Sequence, residues 1–313
     1  MDISIVIPVY NEEQNIDVLY GHLQSMLTRL NQSYEIVFVD DGSTDQSVAV
    51  MKQLKAKDDH IKIISFRKNF GQTAALDAGF KFASGNVIVT LDADLQNDPA
   101  DIPRLLSKLH EGYDVVSGWR YPRKDPLNKK LFSKLADLVR KIVLKDQIHD
   151  SGCTLKAYRK EAVKDLNLFG EMHRYIPAII AANGFTVTEI KVKHHQRKYG
   201  KTKYGIRRVF KGFLDLFYLK FWIDFSTRPL HFFGFLGIFC ALLGGFLGMG
   251  NVLYHVIVNQ RVIVPVGPLL LLAAILILLG IQFIVLGFLG EIIIRTYYSQ
   301  SQEKNYKIKE IIK

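Results

Sequence analysis

Val87-Ile88-Val89-Thr90-Leu91-Asp92-Ala93-Asp94-Leu95-Gln96 is the stretch on which the fold turns. Its first half is a short apolar, β-branched run without alternation, the pattern of a strand buried on both faces. Its second half turns abruptly acidic, with carboxylates at i and i+2 and an amide oxygen at i+4. The same design recurs toward the N-terminus. Ile3 to Val9 runs into Pro8-Val9-Tyr10-Asn11-Glu12, and a strand at Glu35 to Val39 runs into Asp40-Asp41-Gly42-Ser43-Thr44-Asp45. Helical spacing fills the gaps at Ile16 to Leu30, Thr44 to Lys57 and Thr73 to Phe82, with a further strand at Ile61 to Ser65. Strands alternating with helices predict an α/β fold, a mostly parallel sheet flanked by helices. Ligands of such sheets bind beyond the carboxyl ends of the strands, where these three polar groups lie.

The types of residue there narrow the chemistry. Asp92, Asp94 and Gln96 offer hard oxygen ligands that suit Mg²⁺ or Mn²⁺ holding a diphosphate. Neither GxGxxG nor GxxxxGK[ST] follows the first strand, so dinucleotide and P-loop readings lose their support. Taken singly, Ser43 or Thr44 also reads as a cap of the following helix, and Asp40 or Asp41 as a turn residue. His194-His195 does not read as a metal pair, because neighbours on an extended segment face opposite ways.

The 313 residues are 49% hydrophobic and 23% charged, with 41 Lys+Arg against 30 Asp+Glu and a net charge of +11. These averages hide a segregation. Between Arg228 and Glu291 the only charged side chain is Arg261. Pro229 to about Tyr254 and Leu269 to about Leu289 each exceed the roughly 20 apolar residues that a bilayer core demands. This excludes a purely soluble protein, and the mixed charges exclude a disordered one. Basic residues flank the pair on both outer sides (Lys201, Lys203, Arg207, Arg208, Lys211, Lys220 and Arg228 before it; Arg295, Lys304, Lys307, Lys309 and Lys313 after it), which predicts cytoplasmic termini. Gly244 and Gly248 have the spacing of a helix-packing pair. From Ile206 to Phe225, aromatic and basic residues interleave at helical spacing, as in a helix lying at an anionic membrane surface. Cys153 and Cys240 form no CxxC pattern, Met1-Asp2 opens no signal peptide, and the soluble part is expected in a reducing compartment. The expected organisation is a catalytic domain at 1–200, a juxtamembrane segment at 201–228, two spans within 229–290 (about 229–254 and 269–289) and a basic tail at 291–313.

Ile5-Val6-Ile7-Pro8-Val9-Tyr10-Asn11-Glu12, Val39-Asp40-Asp41-Gly42-Ser43-Thr44-Asp45 and Leu91-Asp92-Ala93-Asp94-Leu95-Gln96-Asn97-Asp98-Pro99 together resemble glycosyltransferase family 2 and its GT-A fold. The Asp-Ala-Asp-Leu-Gln form, with Arg67-Lys68-Asn69-Phe70-Gly71 and Gly118-Trp119-Arg120, resembles the polyprenyl-phosphate branch that includes dolichol-phosphate mannose synthases. The two C-terminal spans, ending in Gly287-Phe288-Leu289-Gly290-Glu291 and Arg295-Thr296-Tyr297, are similar to bacterial bactoprenol glucosyltransferases. The resemblance implies a nucleotide-sugar pocket lined by Pro8, Tyr10, Glu12, Asp40, Asp41, Asn69 and Gly71. It implies catalytic roles for Asp92, Asp94 and Arg120, with Asp94, Gln96 and Asp92 on the metal. Arg197, Thr202 and Lys203 match the family's basic phosphate loop; Arg123, Lys129, Lys130 and Asp150 fall on the acceptor side. The implied reaction is inverting transfer of a hexose, glucose from UDP-glucose first among donors, to undecaprenyl or another polyprenyl phosphate at the cytoplasmic face of a bacterial inner membrane. GDP-mannose, UDP-N-acetylglucosamine and UDP-amino sugars fit the same acceptor chemistry. A homo-oligomer is compatible with it; nucleic acid is not an expected partner.

Two other classes compete. A processive polysaccharide synthase shares the fold, but neither Trp119 nor Trp222 completes its QxxRW signature, and two spans make too little of a polymer channel. A non-catalytic sugar-nucleotide adaptor would have little use for an intact Asp92, Asp94 and Gln96.

Overall fold

The computed structural model describes residues 1–121, 141, 148–168, 170–196, 207–225, 228–258, 260 and 266–300. The side chains of 207–215, 295 and 297–300 are outside that description. Seven strands form one sheet: β1 (Ile3–Val9), β2 (Tyr34–Asp40), β3 (Ile61–Ser65), β4 (Val87–Thr90), β5 (Val115–Arg120), β6 (Lys156–Arg159) and β7 (Val187–Val192), in the order β3-β2-β1-β4-β6-β5-β7. All neighbours run parallel except at β6, which is antiparallel to both β4 and β5. The carboxyl ends of β1, β2, β3, β4, β5 and β7 therefore share one rim with the amino end of β6.

The apolar runs explain the centre of the sheet. Ile5, Val6 and Ile7 of β1 and Ile36 to Val39 of β2 are 0% exposed, and burying each side chain contributes about 1.5–3 kcal/mol. Helix α1 (Ile16–Leu30) turns Ile16, Leu19, Leu23, Met26 and Leu27 inward at helical spacing and stops at Asn31, whose φ of 51° is left-handed. Helix α2 spans Ser47–Lys55, α3 spans Gln72–Phe82 and α4 spans Ile102–His110. The expected start of α2 at Thr44 is corrected: Ser43 and Thr44 belong to the preceding loop, and neither caps the helix. The Gln46 amide donates to Glu13 Oε2 at 2.8 Å, so that turn is tied to the β1 loop instead.

The chain divides into two compact units, Met1–Tyr218 and Leu219–Lys313. In the second, apolar helices Pro229–Leu253 and Pro268–Gln300 pack together, and both are long and apolar enough to cross a bilayer. Their seam differs from the expected Gly244/Gly248 pair. A Cβ on Gly237 would lie 2.6 Å from the Gly280 carbonyl oxygen, and one on Gly244 2.6 Å from that of Ala273, whereas at Gly248 the nearest atom is at 3.4 Å. The close approach thus uses Gly237, Gly244 and Gly280. Helix Arg207–Phe225 coincides with the helical stretch expected at Ile206 to Phe225; among its described side chains Leu216 and Leu219 are buried, while Phe217, Tyr218 and Trp222 are exposed.

Candidate active site

At the rim, the loops after β1 and β2 are stitched together. Ser43 Oγ accepts from the Asn11 amide at 3.0 Å, Asn11 Oδ1 accepts from the Thr44 amide at 2.8 Å, and Ser47 Oγ accepts from the Glu12 amide at 2.9 Å. Pro8 pairs with Val39 one residue before the end of β1, with Tyr10 and Glu12 just beyond the strand. Asp40 Oδ1 accepts from the Ser43 amide and Oδ2 from Ser65 Oγ at 2.7 Å, so the turn role is real for this residue.

Asp41 has a different task. Its carboxylate accepts from the Phe70 amide at 2.7 Å and from the Gly71 amide at 2.9 Å, pinning the loop that carries Asn69. Burial raises its pKa, and these two backbone donors oppose that rise. The two loops touch at Gly42, whose φ of 71° is left-handed and whose Cβ, were there one, would stand 2.4 Å from the Lys68 carbonyl carbon. Asn69 itself is exposed, and Gly71 leads into α3.

Beyond β4 the acids crowd. Asp94 is 5% exposed, and its Oδ1 accepts from the Gln96 amide at 3.1 Å around Leu95, a buried side chain with a φ of 60°. A left-handed leucine is strained, and such strain persists where surrounding structure enforces it. Asp92 accepts from Gln72 Nε2 at 2.7 Å at the first turn of α3. Thr154 also hydrogen-bonds it, and Thr154 Oγ1 in turn accepts from Asn97 Nδ2 at 2.8 Å. Burial and then the charge of Asp94 push the Asp92 pKa up to about 7. Two carboxylates held this way, with Gln96 beside them, have the donor chemistry of a hard divalent cation. Among the described residues, no group of three or more His, Cys, Asp or Glu is arranged for a metal.

Arg120 and Asp150 meet at the same rim. Arg120 Nε lies 2.7 Å from Asp150 Oδ2 and Nη2 lies 2.8 Å from Oδ1, a two-pronged pair with Asp150 5% exposed. Asp150, grouped in the sequence with acceptor phosphate ligands, faces a guanidinium and orients it. Arg123, Lys129, Lys130, Arg197, Thr202 and Lys203 lie outside the described residues. Sequence reasoning missed Gln72, Thr154 and Lys156. Lys156 opens β6 and is 3% exposed, with its ammonium bonded to the Cys153 carbonyl and to that of Ser151 at 3.3 Å. Burial lowers its pKa. It also pushes the Cys153 thiol up to about 11, which leaves that cysteine unreactive. His194 pairs with Asn97 across a short bridge and His195 Nε2 is 3.4 Å from Asp98 Oδ2, so the two histidines do have separate partners.

Comparisons with known proteins bear on this site. The profile of glycosyl transferase family 2 matches residues 4–166. The dodecaprenyl-phosphate galacturonate synthase of Rhizobium johnstonii is 37% identical over 99% of this chain and 93% of its own. The undecaprenyl-phosphate 4-deoxy-4-formamido-L-arabinose transferase of Salmonella choleraesuis is 35% identical over 99% and 93%. Among solved structures, glucosyl-3-phosphoglycerate synthase from Mycobacterium tuberculosis, crystallised with Mn²⁺ and UDP-glucose, superimposes with a TM-score of 0.55 at 17% identity over 72% of this chain and 81% of that one. At that identity the likeness establishes the GT-A fold.

Proposed function

The chain belongs to glycosyl transferase family 2, and from that premise we propose that it moves a sugar from a sugar nucleotide to a polyprenyl phosphate, with inversion at the anomeric carbon. The observation that carries this reading is the rim itself: Asp92 and Asp94 crowd together on the same edge at which Asp150 orients Arg120. The names of the two relatives supply the acceptor class.

The chemistry follows from charge. A phosphate monoester has a second pKa of about 6, so the acceptor is largely ionised at neutral pH and needs no protein base. One of its oxygens attacks the anomeric carbon, forming a C–O–P linkage as the bond from that carbon to the nucleoside diphosphate breaks on the opposite face. The protein must bring two anions together and stabilise the departing diphosphate. Arg120, aimed by Asp150, contributes fixed positive charge; Asp94, Gln96 and Asp92 would hold Mg²⁺ or Mn²⁺. When bound, that cation supplies Lewis-acid stabilisation of the diphosphate oxygens. Pro8, Tyr10, Glu12, Asp40 and Asn69 line the nucleoside side of the same reading, with Asp41 and Gly71 as the clamp beneath it.

Residues 1–200 are the catalytic part of this proposal, 201–228 the segment at the headgroups, 229–290 the spans and 291–313 the tail. Both termini face the cytoplasm, and Arg123, Lys129, Lys130, Arg197 and Lys203, with the Thr202 hydroxyl, serve the lipid phosphate. The bactoprenol-type motifs make glucose the first donor. Galacturonate differs from it in configuration at C4 and in its C6 carboxylate, and 4-deoxy-4-formamido-L-arabinose differs at C4 and lacks C6. The test is therefore a panel: membranes containing the protein are given undecaprenyl phosphate, Mg²⁺ or Mn²⁺ and labelled UDP-glucose, UDP-galacturonate or UDP-4-deoxy-4-formamido-L-arabinose. A metal-dependent, chloroform-extractable labelled lipid is expected from one of them. No such product from these or from GDP-mannose and UDP-N-acetylglucosamine would sink the proposal.

A further inference from the structure

One row of residues crosses four strands beneath the rim. Cross-strand register places Thr90 of β4 beside Lys156 of β6, Lys156 beside Ser117 of β5, and Ser117 beside Glu189 of β7. Directly opposed residues share a face of the sheet, so a polar row crosses these four strands. Three of its members reach the same segment, Ile148–Thr154, just before β6. Glu189 accepts from the His149 amide at 2.8 Å and bonds its ring, Lys156 donates to the carbonyls of Ser151 and Cys153, and Thr90 Oγ1 donates to the Thr154 carbonyl at 2.7 Å. The segment is a strap laced to the sheet, and both of its working ends face the rim. Asp150 grips Arg120, and Thr154 bonds Asp92.

Lys156 is the unusual lace. Lysine is almost never fully buried without a partner for its charge, and an apolar side chain of similar length would fill its slot with no charge to desolvate. What the ammonium offers instead is directed N–H donors into the middle of the strap. Packing leaves the strap little room: a Cβ on Gly118 would stand 2.8 Å from the Leu155 carbonyl oxygen and 2.9 Å from Cys153 Sγ. We infer that Lys156 is a positioning residue, whose buried ammonium fastens the Ile148–Thr154 strap and thereby sets where Arg120 points. Its consequence for transfer rests on the function proposed above; the fastening does not.

The experiment separates the two. Trp119 stacks on His149 of the strap with ring centroids 4.5 Å apart, and Trp222 is the only other tryptophan. In a Trp222→Phe background of the full chain, acrylamide quenching of Trp119 therefore reports on the strap. For Lys156→Met we expect quenching to rise about twofold as the strap opens locally, with the far-ultraviolet circular dichroism unchanged. We also expect kcat for lipid-phosphosugar formation to fall about 10- to 100-fold, the scale of a small misplacement at a reacting centre. Affinity for Mn²⁺ alone should not weaken, because the change removes positive charge from beside the acids. Unchanged quenching in folded Lys156→Met overturns the inference, whatever transfer does; weakened Mn²⁺ binding overturns it as well, by marking general damage to the rim. Wild-type protein inactive with every donor, but with the quenching change present, overturns the proposed function and leaves the strap role standing. Should Lys156→Met not fold, Lys156→Arg, which keeps buried donors, is expected to quench like wild type, and raised quenching there overturns the inference.

Discussion

The two ends of the sheet bury acids in opposite ways. At the amino ends of the strands, Glu35 is 1% exposed, and Ser4 Oγ and the Ser84 amide each reach its Oε1 at 2.5 Å while Lys62 Nζ stands 2.6 Å from Oε2. Burial raises the Glu35 pKa, but Lys62, Ser4 and Ser84 outweigh it and hold the carboxyl below the ordinary glutamate range. At the carboxyl ends, Asp92 is likewise desolvated, yet its neighbour Asp94 adds repulsion and the pKa is pushed up to about 7. The closed end satisfies its charge within the protein, and the gain is stability. The open end retains a repulsion that, under the proposed function, a divalent cation would relieve, and the gain is binding.

Asp94→Ala breaks the contrast at its open end and carries the largest expected effect. Losing a metal ligand and its transition-state charge stabilisation lowers transfer by at least about 100-fold. Because the change removes one of two repelling acids, the thermal midpoint stays within about 4 °C of wild type. Full activity in a folded Asp94→Ala protein would remove Asp94 from the metal role.

Glu35→Gln acts on the closed end and reverses the pattern. The shape is kept, but Lys62 loses its charged partner and the buried donors lose a charged acceptor, at a cost of about 1–3 kcal/mol in stability. Transfer per folded molecule is unaffected. The pH dependence has a fixed sign. The folded pKa of Glu35 lies below its unfolded value, so the charged contribution is fully present above the unfolded value and fades as pH falls through the lowered one. Urea midpoints of wild type and Glu35→Gln should therefore converge on acidification; a gap that persists at low pH would show that charge is not its source.

The open end was far more legible in the sequence than the strap that supports it. Each of the first strands is an apolar run that breaks into a polar loop, and parallel pairing alone brings Glu12, Asp40 and Asp92 to one rim. Helix limits were readable where apolar spacing is clean, as at Ile16–Leu30, and misread at Thr44 because long-range bonds from Asn11 and Glu13 hold that stretch outside the helix. Lys156 was invisible for a related reason. Thr-Leu-Lys-Ala-Tyr looks like a strand with a solvated lysine, and only the antiparallel insertion of β6 between β4 and β5 puts that lysine indoors. Asp150 matches a family position near the acceptor, and its contact with Arg120, 30 residues away in sequence, is visible only in the fold. Along the apolar helices, Gly237 and Gly280 lie on different segments, so spacing within one helix could not pair them.

The smallest expected effect comes from making one substitution at both ends. Ser4 is 0% exposed; its hydroxyl donates to Glu35 and accepts from the Gly85 amide at 2.8 Å. Ser43 is only partly buried, and its hydroxyl accepts from the Asn11 amide at 3.0 Å. Ser4→Ala leaves a buried amide and a carboxylate oxygen each short of a partner, with no route for water, and should cost about 1–3 kcal/mol. Ser43→Ala removes one bond at a rim that solvent reaches, so water replaces it and stability falls by less than about 1 kcal/mol. Its cost appears in binding, because the Asn11 amide no longer holds the β1 loop against the β2 loop, and KM for the donor rises a few-fold with kcat unchanged. Equal losses of stability from the two serines, measured by urea unfolding, would mean that both ends are closed and that the contrast between them is not the division between stability and binding.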